Sequence, residues 1–172
     1  MLDNTVIYTK RLEERPMNID DFQVLYENYD KDAEYYMDLF PAGNEEKLRD
    51  FIELCIKEMK EETDLHLIIN DKITKKFIGY IGIYYLKENA PEIGIWINKE
   101  SQHCGYGKEA MESVIKWIDD NYKFSYMRYP VDKDNIFSRK LPEYFNGKIE
   151  KEYSLKSCSG RTLNLVEYWI KK

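Results

Sequence analysis

Apolar residues in this chain follow two different periods. From Phe22 they recur at Leu25, Tyr26 and Tyr29, three or four positions apart, the spacing of one helix face. Asn18, with Asp21 three positions on, has the form of a capping box that starts this helix. Leu48, Phe51, Ile52, Cys55 and Met59 repeat the spacing after Gly43-Asn44, and Glu45 and Glu46 occupy a first turn that favours acids. Ala110, Met111, Val114, Ile115, Trp117 and Ile118 repeat it a third time. Elsewhere the apolar residues alternate or run together and are rich in β-branched and aromatic types. Residues 4–12, 64–70, 75–86, 92–98, 125–131, 148–157 and 162–170 therefore read as strands. NDKITK between the second and third of these predicts a turn in an antiparallel pair, and Pro130 weakens the end of its strand. NIFSRKLPEYF predicts a short helix limited by Pro142. The expected order is β-α-α-β-β-β-α-β-α-β-β, a mixed α/β fold.

At 172 residues, this pattern fits one domain spanning 1–172. The 43% hydrophobic content supplies a core, so disorder is excluded as the dominant state. No apolar run approaches the roughly 20 residues of a membrane span, and MLDNTVIYTK lacks the features of a signal peptide. Cys55, Cys104 and Cys158 are odd in number and widely scattered, which predicts neither a disulfide framework nor a metal site. A reducing, cytoplasmic setting is expected. The net charge of −6 argues against nucleic acid as a partner. His66, inside an apolar strand, reads as a packed histidine.

Chemistry concentrates in SQHCGYGKEAM, residues 101–111, between a predicted strand and a predicted helix. Glycines at such a handover let anionic oxygens approach backbone amides at a helix N-terminus. A P-loop is excluded, because Gln102 stands where its first glycine belongs and Glu109 follows Lys108. A dinucleotide fingerprint fits Gly105-x-Gly107-x-x-Ala110, with Asp132 roughly 20 residues further on as the ribose acid. Against it, the first glycine lies well past the strand end at Asn98, and the remaining chain is short for a second mononucleotide half. A longer pyrophosphate loop, Gln102-x-x-Gly105-x-Gly107, fits without a gap, and an ordinary glycine-rich loop is the remaining alternative.

The rest of the sequence resembles the GNAT superfamily of acetyl-CoA-dependent N-acetyltransferases, in particular its ribosomal-protein N-acetyltransferase branch. TKRLEERPMNIDDF resembles that branch's opening strand and helix, FIGYIGI its central strand, PEIGIWINKESQHCGYGKEAM its strand-loop-helix, and NIFS its later Asn-x-x-Ser element. The resemblance implies a GNAT-like, mostly antiparallel twisted sheet of about seven strands flanked by about four helices, splayed in the middle to admit a pantetheine arm. It implies acetyl-CoA as co-substrate and no metal. Trp96, Ile97 and Asn98 would pair with pantetheine through their backbone. Gln102, His103, Cys104, Gly105, Tyr106, Gly107 and Lys108 would cradle the pyrophosphate, with Asn135 and Ser138 on the opposite wall. His103 and Cys104 lack an orienting partner for nucleophilic chemistry and are expected to offer amides only.

Acetyl transfer needs a neutral amine and a proton for the departing thiolate. Glu92, at the start of the pantetheine strand, is the expected general base. For the acid, many relatives place a tyrosine four residues after the Ser of Asn-x-x-Ser, where this chain has Pro142. Ser138 and Tyr144 are the candidates that remain. The segment NYDKDAEYYMDLFPAG, with Asp30, Asp32, Glu34, Tyr35, Tyr36 and Asp38, is expected to shape the acceptor site, with a solvated surface as the alternative. Expected partners are a small-molecule amine or a protein N-terminal amine, with no membrane, in a monomer or homodimer. A non-catalytic acyl-CoA sensor would keep the same phosphate loop.

Overall fold

Residues 2–171 are described by the computed structural model. Eight strands form one sheet: β1 (Ile7–Tyr8), β2 (Leu12–Pro16), β3 (Leu65–Asp71), β4 (Phe77–Tyr84), β5 (Glu92–Ile97), β6 (Tyr126–Asp132), β7 (Lys148–Lys156) and β8 (Thr162–Lys171). Their order across the sheet is β1-β2-β3-β4-β5-β6-β8-β7. Five α-helices flank it: α1 (Phe22–Asn28), α2 (Lys31–Met37), α3 (Glu45–Glu61), α4 (Tyr106–Asn121) and α5 (Ile136–Tyr144).

The described residues thus hold one strand and one α-helix more than the pattern predicts, and both have local causes. Residues 4–12 were expected as a single strand. Instead the Thr9 hydroxyl accepts from the Arg11 and Leu12 amides and folds the segment into the β1–β2 turn. Helix α2 falls in the acidic segment between the two expected helices. It starts where Asp30 accepts from the Ala33 amide and stops at Asp38 in the left-handed region, φ 53°. The predicted starts at Asn18 and Asn44 are both present, with side chains capping the following turns. Pro142 lies inside α5 rather than ending it.

The pairing of β5 and β6 positions everything else. Strand β5 pairs with β4 along its whole length, but it pairs with β6, in parallel, only at Glu92↔Arg128. Beyond that point the strands diverge, and the facing edges of residues 93–97 and 129–132 have no ladder. The expected splay is present. Arg128 N donates toward β5, to Pro91 O at 2.8 Å. By strand alternation the position of Pro130 faces the same way, so its missing N–H falls on the open edge, where no ladder bond is lost. This is why a proline sits inside β6 instead of ending it.

The sheet has two covered faces. Helix α4 packs Ala110, Met111, Val114 and Ile118 on the face carrying Ile93, Ile95 and Ile97. Helices α1 to α3 cover the other face, which carries Glu92, Gly94 and Trp96; a Cβ on Gly94 would lie 3.9 Å from Met37 Cε. On this second face His66 is buried, with Nδ1 2.7 Å from the Tyr80 hydroxyl and Nε2 2.8 Å from Glu58 Oε2. It is a packed, satisfied histidine. Among the described residues no helix is long and apolar enough to cross a membrane.

Candidate functional site

A cleft of about 820 Å³ opens at the fork between β5 and β6, walled by α2, the β5–α4 loop and α5. Its chemistry is set first by the loop. Asn98 is buried; its side chain accepts from Ser101 N and donates to Phe77 O at 3.1 Å, fixing the chain as it leaves β5. His103 and Gly105 then take left-handed conformations, φ 61° and 79°. Only at Gly105 does the sequence supply the residue that conformation favours. Gly107 lies within the first turn of α4, and a Cβ there would meet Ile97 Cγ1 at 3.5 Å. Its glycine keeps the floor of the cleft low rather than permitting a positive φ.

The loop ends on an open helix terminus. No side chain caps α4, and its first ladder bond runs from Glu109 N to Gly105 O at 3.1 Å. The amides of Tyr106, Gly107 and Lys108 therefore lie ahead of the ladder at the positive end of the helix dipole, as an anion site requires. A brace that the sequence reading missed holds this geometry. Arg11 Nη1 donates to Cys104 O at 3.0 Å, Arg11 Nε donates to Glu109 Oε2 at 2.6 Å, and its guanidinium lies 4.4 Å from the Tyr106 ring centre. Glu109 is further held by the Thr9 hydroxyl and the Arg11 amide, and these bonds keep its carboxyl below the usual range against the cost of burial. Only contact across about 100 residues of chain reveals it.

The other expected donor-site residues distribute unevenly. Trp96, Ile97, Gln102, His103, Lys108, Asn135 and Ser138 line the cleft, whereas Asn98 and Cys104 do not. Asn98 N is bonded to Ile78 O, so the amides of Asn98 and, by alternation, Trp96 point at β4. Ile97 and Ile95 are the residues whose backbone faces the fork; Ile97 O accepts from Gln102 Nε2. Asn135 caps α5 by accepting from Ser138 N at 3.1 Å.

The expected catalytic residues lie apart. Glu92 is not among the residues lining the cleft; it stands at the apex of the fork on the face opposite the phosphate loop, a quarter exposed and 3.4 Å from Arg128 Nη1. Burial raises its pKa, Arg128 opposes this, and Glu167 adds to it. Tyr144 sits at the cleft rim with the Lys108 ammonium 3.6 Å from its ring centre.

The acidic segment divides into structural and cleft-facing parts. Glu34 holds the Ala42 amide and Lys31, and Asp38 accepts from Cys158 N in the β7–β8 turn. Arg161 covers the Tyr35 ring and donates to Tyr35 O. Asp30, Asp32 and Tyr36 remain on the cleft, with Asp32 3.8 Å from Lys99 across its mouth. Asp132, the alternative ribose acid, is buried beside Arg161 rather than at the glycine loop.

Comparison with known proteins agrees with this architecture. The model of the acetyltransferase (GNAT) domain matches residues 11–145. No curated protein matches the sequence significantly. A Vibrio cholerae structure assigned as a ribosomal-protein-serine acetyltransferase superposes with a TM-score of 0.85 at 19% identity, covering 100% of each chain. A Salmonella typhimurium acetyl transferase, described as modifying the N-terminal serine of a 50S ribosomal subunit protein, gives 0.85 at 14% identity over 98% of this chain and 99% of that one. A ribosomal alpha-N-protein acetyltransferase in complex with coenzyme A gives 0.79 at 14% identity over 97% and 98%.

Proposed function

The chain belongs to the GNAT acetyltransferase family, and from that premise we propose that it moves the acetyl group of acetyl-CoA directly to a primary amine bound on the α2 side of the sheet. The observation that carries this reading is the fork. One continuous cleft joins uncapped helix amides on one face to an acidic, aromatic wall on the other. Acetyl-CoA would lay its pyrophosphate on the amides of residues 105–108 and its pantetheine arm along the open edge of Ile97 and Ile95. Those two residues replace Trp96 and Asn98 as the backbone partners. Donor substrate and acceptor would then meet in the cleft on its apex side, with Glu92 reached from there through water.

In this reading Glu92 takes the ammonium proton through water. A raised pKa suits a general base working near neutrality, since the proton is then passed with less mismatch. The amine nitrogen attacks the thioester carbonyl, the C–S bond breaks with its electron pair on sulfur, and the second nitrogen proton ends on the thiol. The acceptor class best supported is a peptide N-terminal amine. Its pKa near 8 lies below that of alkyl amines, so less deprotonation is required, and two neighbours of this fold are named for such substrates.

The test is direct. Acetyl-CoA should raise the melting temperature where NAD does not; at about 100 times its dissociation constant a ligand stabilises by about 2.7 kcal/mol. Thiol release should then follow when a peptide panel with free N-termini is added, and N-terminally blocked peptides should be silent. A shift with NAD alone would sink the donor assignment. Turnover on small amines but on no peptide would sink the acceptor assignment.

A further inference from the structure

The position where relatives carry a helix tyrosine is Pro142, which can donate no proton, and Tyr144 is turned to the rim under Lys108. The fork itself supplies another hydroxyl. Tyr129 immediately follows Arg128, the one β6 residue paired with β5, so it stands where the fork begins, with its backbone toward β8 and its side chain on the face of Ile95. Its side chain is only 2% exposed, yet it contributes to the cleft surface on the Ile95 face together with Ser138 and Leu141. Its hydroxyl is 2.8 Å from Ser138 Oγ. Ser138 is in turn fixed by the Asn135 cap, which places a β6 hydroxyl and an α5 hydroxyl in one hydrogen-bonded pair on the cleft.

We propose that Tyr129 is the proton donor to the departing thiolate, with Ser138 as the residue that positions and reprotonates it. This rests on the acetyl-CoA reading of the cleft, in which the arm runs from Ile97 toward the apex and brings sulfur to the fork. As the C–S bond breaks, the Tyr129 O–H proton passes to sulfur and the Ser138 O–H proton passes to the Tyr129 oxygen. Ser138 recovers a proton through cleft water from the nitrogen that has just formed the amide. The net change is N–H to S–H, and no phenolate accumulates. Burial pushes the Tyr129 hydroxyl up to about 12, so it is a donor at every working pH. The arrangement also explains how α5 tolerates Pro142: the acid has moved from the helix to the strand that the helix covers.

Tyr129→Phe keeps the ring and removes the donor. With acetyl-CoA bound, its single-turnover rate should fall by about 100-fold, at the low end of what one general acid contributes. Ser138→Ala should lose about tenfold, because Tyr129 keeps its proton but loses its orienting partner. Coenzyme A affinity should stay within threefold in both. The decisive readout is the bound thiol, titrated by its thiolate ultraviolet absorbance. A Tyr129 donor stabilises the thiolate, so the thiol pKa of bound coenzyme A should rise by about one unit in Tyr129→Phe. Lys108, Lys140 and Asp134 at the rim are common to both proteins and cancel in the comparison. A slower turnover without a thiol shift, a shift without slower turnover, or neither, would overturn the assignment. Failure of the unmodified protein to bind coenzyme A would overturn the donor-site reading instead.

Discussion

The two walls of the cleft are built on opposite principles. The proposed donor wall is chiefly one run of chain, residues 97–109, whose working groups are backbone amides and whose shape depends on one glycine in a left-handed conformation. The proposed acceptor wall is built from α2 and the residues just before it, with Asp30, Asp32 and Tyr36 on the cleft, and its working groups are side chains. A phosphate is read by amides that every residue carries, so only the backbone geometry needs specifying. An amine is read by carboxylates and rings, which many different segments can supply. The donor wall should therefore fail sharply when one backbone position changes, and the acceptor wall should degrade by increments.

The hardest strike falls at the apex of the fork, on the proposed base. Glu92→Gln should lower turnover by about 10²–10⁴-fold, the range of a general base, while coenzyme A affinity is unchanged by calorimetry. The base must be ionised to act, and burial raises its pKa, so the acid limb of the rate profile should lie above the ordinary carboxylate range and rise with pH. Full activity in Glu92→Gln with a high-pKa amine would remove Glu92 from the chemistry.

Gly105→Val comes next. A β-branched residue cannot hold φ 79° without strain, so the loop would rearrange and coenzyme A affinity should drop by about 100-fold. Arg11→Ala, which removes the brace on Cys104 O, should cost about tenfold for coenzyme A and little for pantetheine, which lacks the phosphates. Equal losses for both ligands would show that Arg11 supports the fold in general rather than the phosphate loop.

The smallest effect belongs to the acceptor wall. Asp30→Asn with Asp32→Asn should raise the Michaelis constant for a cationic amine by about threefold at low salt, and screening over about 10 Å at 0.1 M should erase the difference. The constant for acetyl-CoA should not move. An amine constant indifferent to both substitution and salt would return the segment to solvated surface.

This contrast also sorts what could be read in the sequence. The strands after β2, the helices α1, α3 and α4 and the 101–111 loop were legible because periodicity, caps and glycines are local signals. Helix α2 was not, since seven residues without a clean apolar stripe carry little periodic signal and the helix is held by Asp30 and by the Cys158–Arg161 turn. The Thr9–Arg11–Glu109 brace was invisible for a related reason: each residue is ordinary, and only the juxtaposition of β1–β2 with α4 gives them a task. Glycine at 107 looked like a second conformational requirement, but its φ is not left-handed and a Cβ there would make only ordinary contact with Ile97. Tyr129 carried no signal beyond its place in a strand.

Pro130 gives the fork a permanence that hydrogen-bond energetics alone would not. Two unpaired strand edges a few residues apart ordinarily invite each other, or a stranger, to complete the ladder. A ring in place of one amide removes that option from β6 by covalent constitution. The protein therefore spends nothing on prying strands apart when a substrate arrives, and the entropic and enthalpic cost of opening is met once, during folding, rather than at every catalytic cycle.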